Sequence, residues 1–154
     1  MPVALDATVP DFTAAATGGD FKLSAQRGST VVLYFYPKDN TPGCTTEGSD
    51  FANSYPEFRK AGAVVFGVSR DSLRSHEGFK AKMGFPFELI SDPDEQLCEI
   101  FGVMKLKNMY GKQVRGVERS TFVIDRAGNL RKAWRGVKVP NHVDQVLAFA
   151  QSIA

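Results

Sequence analysis

Residues 30–47 read TVVLYFYPKDNTPGCTTE, and this stretch decides the fold. Its first part, 30–36, is a continuous run of β-branched and aromatic residues. Such a run is too short for a helix and is typical of a strand buried in the middle of a sheet. Pro37 ends it, because proline cannot donate a hydrogen bond to a neighbouring strand.

A helix is predicted to begin directly after this strand. Thr41 suits the N-cap and Pro42 suits the first helical position. An apolar stripe follows at helical spacing, which predicts that Cys44 lies in the first turn and faces inward. The residues of the stripe are Phe51, Tyr55 and Phe58.

The rest of the chain continues the alternation of strands and helices. The predicted order is β, α, β, α, β, α, then a β-hairpin and a closing helix, with smaller strands in the first forty residues. Parallel crossover units followed by an antiparallel pair predict an α/β fold, a three-layer α/β/α sandwich of thioredoxin-like arrangement with a mixed central sheet and an N-terminal extension. The later elements are a strand at 63–68, a helix capped by Asp71 or Ser72 with Leu73, His76, Lys80 and Met83 near one face, a short strand at 85–90, a short helix opened by a capping box at 92–95, loop and extended chain at 103–118, a hairpin turning at 126–129, and a helix capped by Asn141.

Length and composition predict one domain, residues 1–154. Hydrophobic residues make up 43% of the chain and charged residues 23%, which excludes global disorder. The net charge of +2 is too weak to indicate nucleic acid as a partner. Residues 104–154 nevertheless hold ten basic and three acidic side chains, against nine and fourteen before them. This last third of the chain is either a solvated basic surface or a positive field beside a site that acts on an anion.

No apolar run approaches the about 20 residues of a membrane span, and the first twelve residues lack the basic start of a signal peptide. We therefore expect a cytoplasmic protein without a membrane partner. Two cysteines suit a reducing compartment, and with two scattered histidines they predict neither a metal site nor a cofactor. His142 follows a predicted helix cap and is expected at the surface, and His76 has no evident catalytic task.

Cys44 is the residue whose placement has chemical meaning by itself. The positive end of a helix and its free N–H groups stabilise a thiolate, which is the reactive form of cysteine. The alternative is an inert buried cysteine. Pro42 and Gly43 directly before it let the backbone approach a ligand closely, which favours a reactive site.

Residues 34–47 resemble the active-site segment of the peroxiredoxins, in particular the bacterioferritin comigratory protein subfamily. The pattern Pro-x-x-x-Thr/Ser-x-x-Cys falls on Pro37, Thr41 and Cys44. The likeness continues through 69–76, 91–92, 101–103, 109–112 and 119–125. It implies a thiol-dependent peroxidase that reduces hydrogen peroxide and organic hydroperoxides through a sulfenic acid on Cys44.

The resemblance also implies roles for the neighbours of Cys44. Arg119 is the cation that holds the thiolate and orients the peroxide, with Arg115, Arg131 and Arg135 as nearby candidates for a plain surface role. The Thr41 hydroxyl contacts peroxide and thiolate, and Pro37 shapes the loop that shields them. Glu47 either pairs with Arg119 or is a carboxylate on the helix surface.

The sequence departs from the family at the second cysteine. Many members carry it five residues after the first, where this chain has Ser49, and others carry it near 79–80, where this chain has Phe-Lys. Cys98 is either a core residue or the resolving cysteine. We therefore expect a one-cysteine mechanism in which an external thiol (thioredoxin, glutaredoxin or glutathione) reduces the sulfenic acid, in a monomeric protein.

Two other functions are weighed against this one. A thiol–disulfide oxidoreductase needs Cys-x-x-Cys at the helix start, and the partner cysteine is missing. A redox sensor would use oxidation of Cys44 as a switch and would react once instead of turning over.

Overall fold

The computed structural model describes residues 2–154 apart from the side chain of Met109. The strands that it contains are β1 (Thr13–Ala14), β2 (Phe21–Lys22), β3 (Thr30–Phe35), β4 (Ala63–Ser69), β5 (Glu88–Ser91), β6 (Met104–Met109), β7 (Lys112–Val117), β8 (Ser120–Ile124) and β9 (Leu130–Arg135). The helices are α1 (Pro42–Lys60), α2 (Leu73–Met83), α3 (Gln96–Phe101) and α4 (His142–Ser152), with a short 3-10 helix at Leu23–Gln26.

The central sheet is mixed, as predicted. Its strand order is β5-β4-β3-β8-β9, with β3, β4 and β5 parallel and β8 and β9 antiparallel to their neighbours. The stretch at 30–36 forms the middle strand β3, whose six residues are all buried. The three-layer, thioredoxin-like arrangement is confirmed.

Alternation along β3 creates two separate cores. Val31, Leu33 and Phe35 point to a core that includes α3, and Val32 and Tyr34 point to a core that includes the buried faces of α1, α2 and α4. The sheet therefore separates the buried side chains of α3 from those of α1.

Helix α1 begins where the sequence predicts, with Thr41 at the N-cap and Pro42 at the first position. The Thr41 hydroxyl donates to the carbonyl of Lys38 at 2.9 Å, so the side chain ties the preceding turn and makes no capping bond to the helix. The buried face of α1 carries Cys44, Glu47, Gly48, Phe51 and Phe58.

The segment at 103–118 corrects a prediction. It is a regular antiparallel hairpin, β6 with β7, instead of loop and extended chain. Polar and basic residues dominate it, so the apolar alternation that marks a half-buried strand is missing, and backbone pairing alone reveals the hairpin.

Two helix predictions also need correction. Helix α3 begins at Gln96, after Glu95 in the left-handed region, and not within 92–95. Asp92 still caps it, because its carboxylate accepts from the N–H groups of Leu97 and Cys98. In α2, Ser72 is the cap, one of the two predicted, but of the four residues predicted on one face only His76 is buried, and Phe79 is buried with it.

Across residues 2–154, none of the helices combines the length and the apolar character that crossing a membrane requires.

Candidate active site

Cys44 lies in the first turn of α1 with its side chain turned into the core, as predicted. It is 2% exposed and packs in the same core as Tyr34, Tyr36 and Phe51. The strand β3 ends beside it, so the turn at 37–41 joins the middle of the sheet directly to the thiol. The sulfur therefore lies at the positive end of a nineteen-residue helix, in surroundings that exclude most water.

Arg119 reaches this sulfur from the short segment between β7 and β8. Its Nη2 donates to Cys44 Sγ at 3.4 Å and its Nη1 donates to Glu47 Oε1 at 2.6 Å. Seventy-five residues of sequence separate Arg119 from Cys44, and the antiparallel pairing of β8 with β3 brings them together. Burial lowers the pKa of Arg119, but the charges of Glu47 and Cys44 outweigh this effect and raise it, so the guanidinium stays charged.

Of the two alternatives for Glu47, the structure has the pair with Arg119. The Glu47 side chain is fully buried, while that of Arg119 is 17% exposed. Burial raises the pKa of Glu47 to about 7 even though Arg119 opposes the shift. Within the described residues, Oε2 of Glu47 has no hydrogen-bond partner. Glu47 therefore holds the Arg119 guanidinium in one direction. Because its pKa is raised, the Glu47 carboxylate gains a proton near neutral pH.

The three arginines expected to have a plain surface role lie away from Cys44. Arg115 pairs with Glu95, Arg131 with Asp125, and Arg135 donates to two backbone carbonyls. Of these four arginines from the basic segment 104–154, Arg119 is the one that contacts Cys44.

Gly43, which the sequence predicts to let the backbone approach a ligand, also lies beside Arg119. A Cβ built at this position would lie 3.1 Å from Nη2 of Arg119. The glycine therefore leaves room for the guanidinium beside the helix start, and any side chain there would press against it.

Thr41 and Pro37 lie in the turn that leads to Cys44. Thr41 is half-buried at the N-cap, and Pro37 is half-buried at the end of the central strand. Asn40 between them has φ of +64°, a left-handed conformation that asparagine tolerates better than most residues. This left-handed residue lies between the end of β3 and the start of α1.

Cys98 lies away from this site. It is fully buried in α3 and belongs to the core on the opposite face of the central sheet from Cys44. Burial raises the pKa of its thiol, and the hydrogen bond and charge of Asp92 raise it further. Both cysteines are free thiols.

The prediction that His142 is at the surface is wrong. The residue is 4% exposed, its Nε2 lies 2.8 Å from the Thr121 hydroxyl, and its ring packs edge-on against Trp134 and Phe51. Burial lowers the pKa of His142 to about 4, so the ring is neutral near pH 7. A position at the start of a helix does not by itself indicate that the side chain will pack against β8, β9 and α1, as His142 does.

Comparison with known proteins identifies the class. The family model of AhpC/TSA matches residues 5–133, and the chain belongs to this family, the peroxiredoxins. It is therefore a thiol-dependent peroxidase, which acts on hydroperoxides with a thiol as reductant.

Within this family, the chain is similar to the proteins named peroxiredoxin Bcp and peroxiredoxin Q. Peroxiredoxin Bcp of Xanthomonas campestris is 57% identical over 151 residues, covering 97% of this chain and 94% of the relative, and peroxiredoxin Bcp of Bacillus subtilis is 47% identical over 148 residues, covering 96% and 94%. Among solved structures, Xanthomonas campestris peroxiredoxin Q has a TM-score of 0.90 at 54% identity, covering 97% of this chain and 96% of that one. A mutant of Xylella fastidiosa peroxiredoxin Q has a TM-score of 0.93 at 43% identity, covering 99% and 98%.

Proposed function

We propose that Cys44 is the peroxidatic cysteine and that the protein turns over by a one-cysteine mechanism, with an external thiol as reductant. The observation that carries the one-cysteine part is the placement of Cys44 and Cys98 on opposite faces of the central sheet. Arg119 contacts the sulfur and Glu47 contacts Arg119, which supports their roles, and Thr41 and Pro37 lie in the turn that leads to Cys44.

In the first step, the Cys44 thiolate attacks the terminal oxygen of a hydroperoxide. The S–O bond forms as the O–O bond breaks, the sulfur is oxidised to a sulfenic acid, and the leaving alkoxide takes a proton and departs as the alcohol. Arg119 and the free N–H groups of the first turn of α1 stabilise the thiolate and the charge that develops on the leaving oxygen. The Thr41 hydroxyl orients the peroxide, and Pro37 shapes the wall that excludes water. Glu47 fixes the direction of Arg119.

In the second step, an external thiol attacks the sulfenic sulfur. Water leaves and a mixed disulfide forms, and a second thiol then releases the Cys44 thiol and carries away the disulfide. An internal bridge needs the two Cα atoms within about 7 Å, so Cys98 would have to leave its core and α3 would have to unwind. Ser49, on the same helix as Cys44, cannot form a disulfide.

The substrates proposed are hydrogen peroxide and organic hydroperoxides. One solved structure of Xanthomonas campestris bacterioferritin comigratory protein is described in terms of its alkyl peroxide reduction activity, which supports organic hydroperoxides for this chain too. Thioredoxin, glutaredoxin and glutathione are the candidate reductants. That the protein is cytoplasmic, monomeric and composed of one domain stays a prediction.

Turnover of two single variants tests the proposal. Cys44→Ser is expected to abolish peroxide reduction, because a serine hydroxyl is not ionised near neutral pH. Cys98→Ser is expected to keep most of the turnover with each candidate reductant that serves the wild type. If Cys98→Ser stops turnover but leaves the first peroxide reaction intact, Cys98 is the resolving residue and the one-cysteine mechanism is wrong.

A further inference from the structure

A buried polar cluster lies beside the turn that leads to Cys44, and the mechanism above does not use it. Its centre is the pair Asp39 and His76, which are 5% and 0% exposed. Asp39 belongs to the turn itself, and His76 belongs to the first half of α2. Buried charged groups are costly unless they are fully paired, so this cluster calls for a physical reason.

The hydrogen bonds at the pair define its protonation. Asp39 accepts from the hydroxyls of Tyr36 at 2.6 Å and Ser75 at 2.8 Å, and its Oδ2 lies 2.8 Å from Nδ1 of His76. On the other side of the ring, Nε2 of His76 lies 2.9 Å from the carbonyl oxygen of Ile90. A carbonyl only accepts, so Nε2 carries a hydrogen, and a second proton lies between Nδ1 and Asp39.

The contact between Asp39 and His76 is therefore a charge-assisted hydrogen bond that joins the turn to α2, and it is called the Asp39–His76 strut below. Burial raises the pKa of Asp39, but the hydrogen bonds from His76 and Tyr36 outweigh it and hold that pKa below its ordinary value. The ligand atoms of Asp39, Asp71 and His76 lie within 4.8 Å of one another, a spacing that suits a cation. Both ring nitrogens of His76 are already engaged through protons, which favours the strut over a metal site.

The strut fixes the turn at both its backbone and its side chain. The N–H of Asp39 donates to Asp71 Oδ2 at 2.9 Å, and its carboxylate is held by the end of β3 and by α2. The next residue, Asn40, has its φ of +64°, and α1 starts two residues later. With Asp39 held in this way, the left-handed residue sends the chain into α1 in one direction, which aims Thr41 and the thiol of Cys44.

We propose that Asp39 and His76 are positioning residues for the peroxide step, acting through the turn at 37–41. The proposal rests on the assignment of Cys44 and Thr41 under the proposed function. Attack on a peroxide needs the sulfur, the hydroxyl and the guanidinium in one arrangement, and a misplacement of about 1 Å costs roughly a hundredfold in rate. Alkylation of Cys44 by iodoacetamide needs only an accessible thiolate.

The test compares these two rates on each purified full-length variant. Asp39→Ala removes the strut and is expected to lower the second-order rate of Cys44 oxidation by roughly 10- to 100-fold while the alkylation rate changes by less than about threefold. Asp39→Asn is expected to restore oxidation to within about threefold of wild type. Its amide oxygen accepts from Tyr36, and its NH2 group donates to Nδ1 of a neutral His76 that keeps the Nε2–H bond to Ile90.

Two further variants complete the design. Thr17→Val removes a buried hydroxyl that bonds Glu88 and Leu89 at the far edge of the sheet, and it is expected to change neither rate. Tyr36→Phe keeps the buried ring and removes one donor to Asp39, so it supplies the measurement if Asp39→Ala does not fold. It is expected to lower oxidation several-fold more than alkylation.

The outcomes separate the two proposals. Equal changes in oxidation and alkylation, or an Asp39→Asn variant as slow as Asp39→Ala, would overturn the positioning role. Peroxide turnover that survives in Cys44→Ser would instead overturn the proposed function. An inert Cys44→Ser together with an unperturbed Tyr36→Phe and Asp39→Ala would leave the peroxidase intact and remove only the strut from the account.

Discussion

Removing the guanidinium of Arg119 is the perturbation for which the structure gives the clearest magnitude. At 3.4 Å from Cys44 Sγ, a unit charge is worth about 5 kcal/mol to a thiolate at an effective dielectric constant of about 20. The net loss is smaller than this Coulomb energy, because the Arg119 side chain is 17% exposed to water and because the N–H groups at the start of α1 still stabilise the thiolate in the variant. Loss of one preorganised donor typically costs about 10²- to 10³-fold in rate. Arg119→Ala is therefore expected to slow Cys44 oxidation by roughly 10²- to 10³-fold.

The same substitution leaves the buried carboxylate of Glu47 without its ion-pair partner. Glu47 is fully buried and would lose the donor at 2.6 Å, so Arg119→Ala is expected to destabilise the fold as well as slow the chemistry. The double variant Arg119→Ala with Glu47→Gln is the matched control, because it removes the charge that would be left alone. Its stability should recover towards that of wild type while its oxidation rate stays low.

Stopped-flow oxidation and urea unfolding at one pH measure both quantities. Arg119→Lys adds a further arm, since it keeps a charge but loses the two-pronged contact with Glu47 and Cys44, and it should fall between wild type and alanine. An Arg119→Ala variant that oxidises within threefold of wild type, or whose thiol alkylates at an unchanged rate at each pH, would show that the contact with the sulfur has no part in the reaction.

The remaining predictions concern stability. The pKa of Glu47 is about 7 in the folded protein against an ordinary 4.5, so the folded state holds more protons between these values, and stability should fall by about 3 kcal/mol as pH rises from about 4.5 to 7. Urea unfolding at pH 5 and pH 8 checks this; Glu47→Gln should remove the contribution, and an unchanged pH dependence in that variant would contradict the assignment. Gly48→Ala should destabilise by about 1–3 kcal/mol, because its Cβ would lie 2.5 Å from the buried Phe85 ring. The control Gly78→Ala meets no described atom within 4 Å and should gain up to about 1 kcal/mol, so equal effects on thermal unfolding would refute the packing argument.

Sequence patterns predicted most of the fold because local rules and tertiary packing agree along the middle of the chain. The run at 30–36 is apolar on both faces, and it forms the middle strand of the sheet, which has a core on each side. Thr41 and Pro42 mark the start of α1 correctly. The hairpin at 104–117 was missed because a solvated β-ribbon has no apolar alternation to display.

For the candidate site, the resemblance indicates which residues to consider, but their contacts depend on the fold. The sequence favours a surface and a buried carboxylate equally for Glu47, and only the approach of Arg119 from the segment between β7 and β8 decides between them. The burial of His142 and the Asp39–His76 strut likewise depend on elements 21 and 37 residues apart in sequence. A polar pair of this kind needs only one donor and one acceptor, so it produces no periodic pattern in the sequence.

Mass spectrometry of the wild-type protein after one equivalent of hydroperoxide, without reductant, tests the central claim most directly. The account predicts that Cys44 gains one oxygen atom and reacts with a sulfenic-acid trap, while Cys98 stays a free thiol that alkylates once the protein is unfolded. Adding an external thiol should then give a mixed disulfide on Cys44. A product that has lost two hydrogens and contains a Cys44–Cys98 disulfide would contradict the one-cysteine mechanism, and oxygen found on Cys98 with Cys44 unmodified would contradict the assignment of the active site itself.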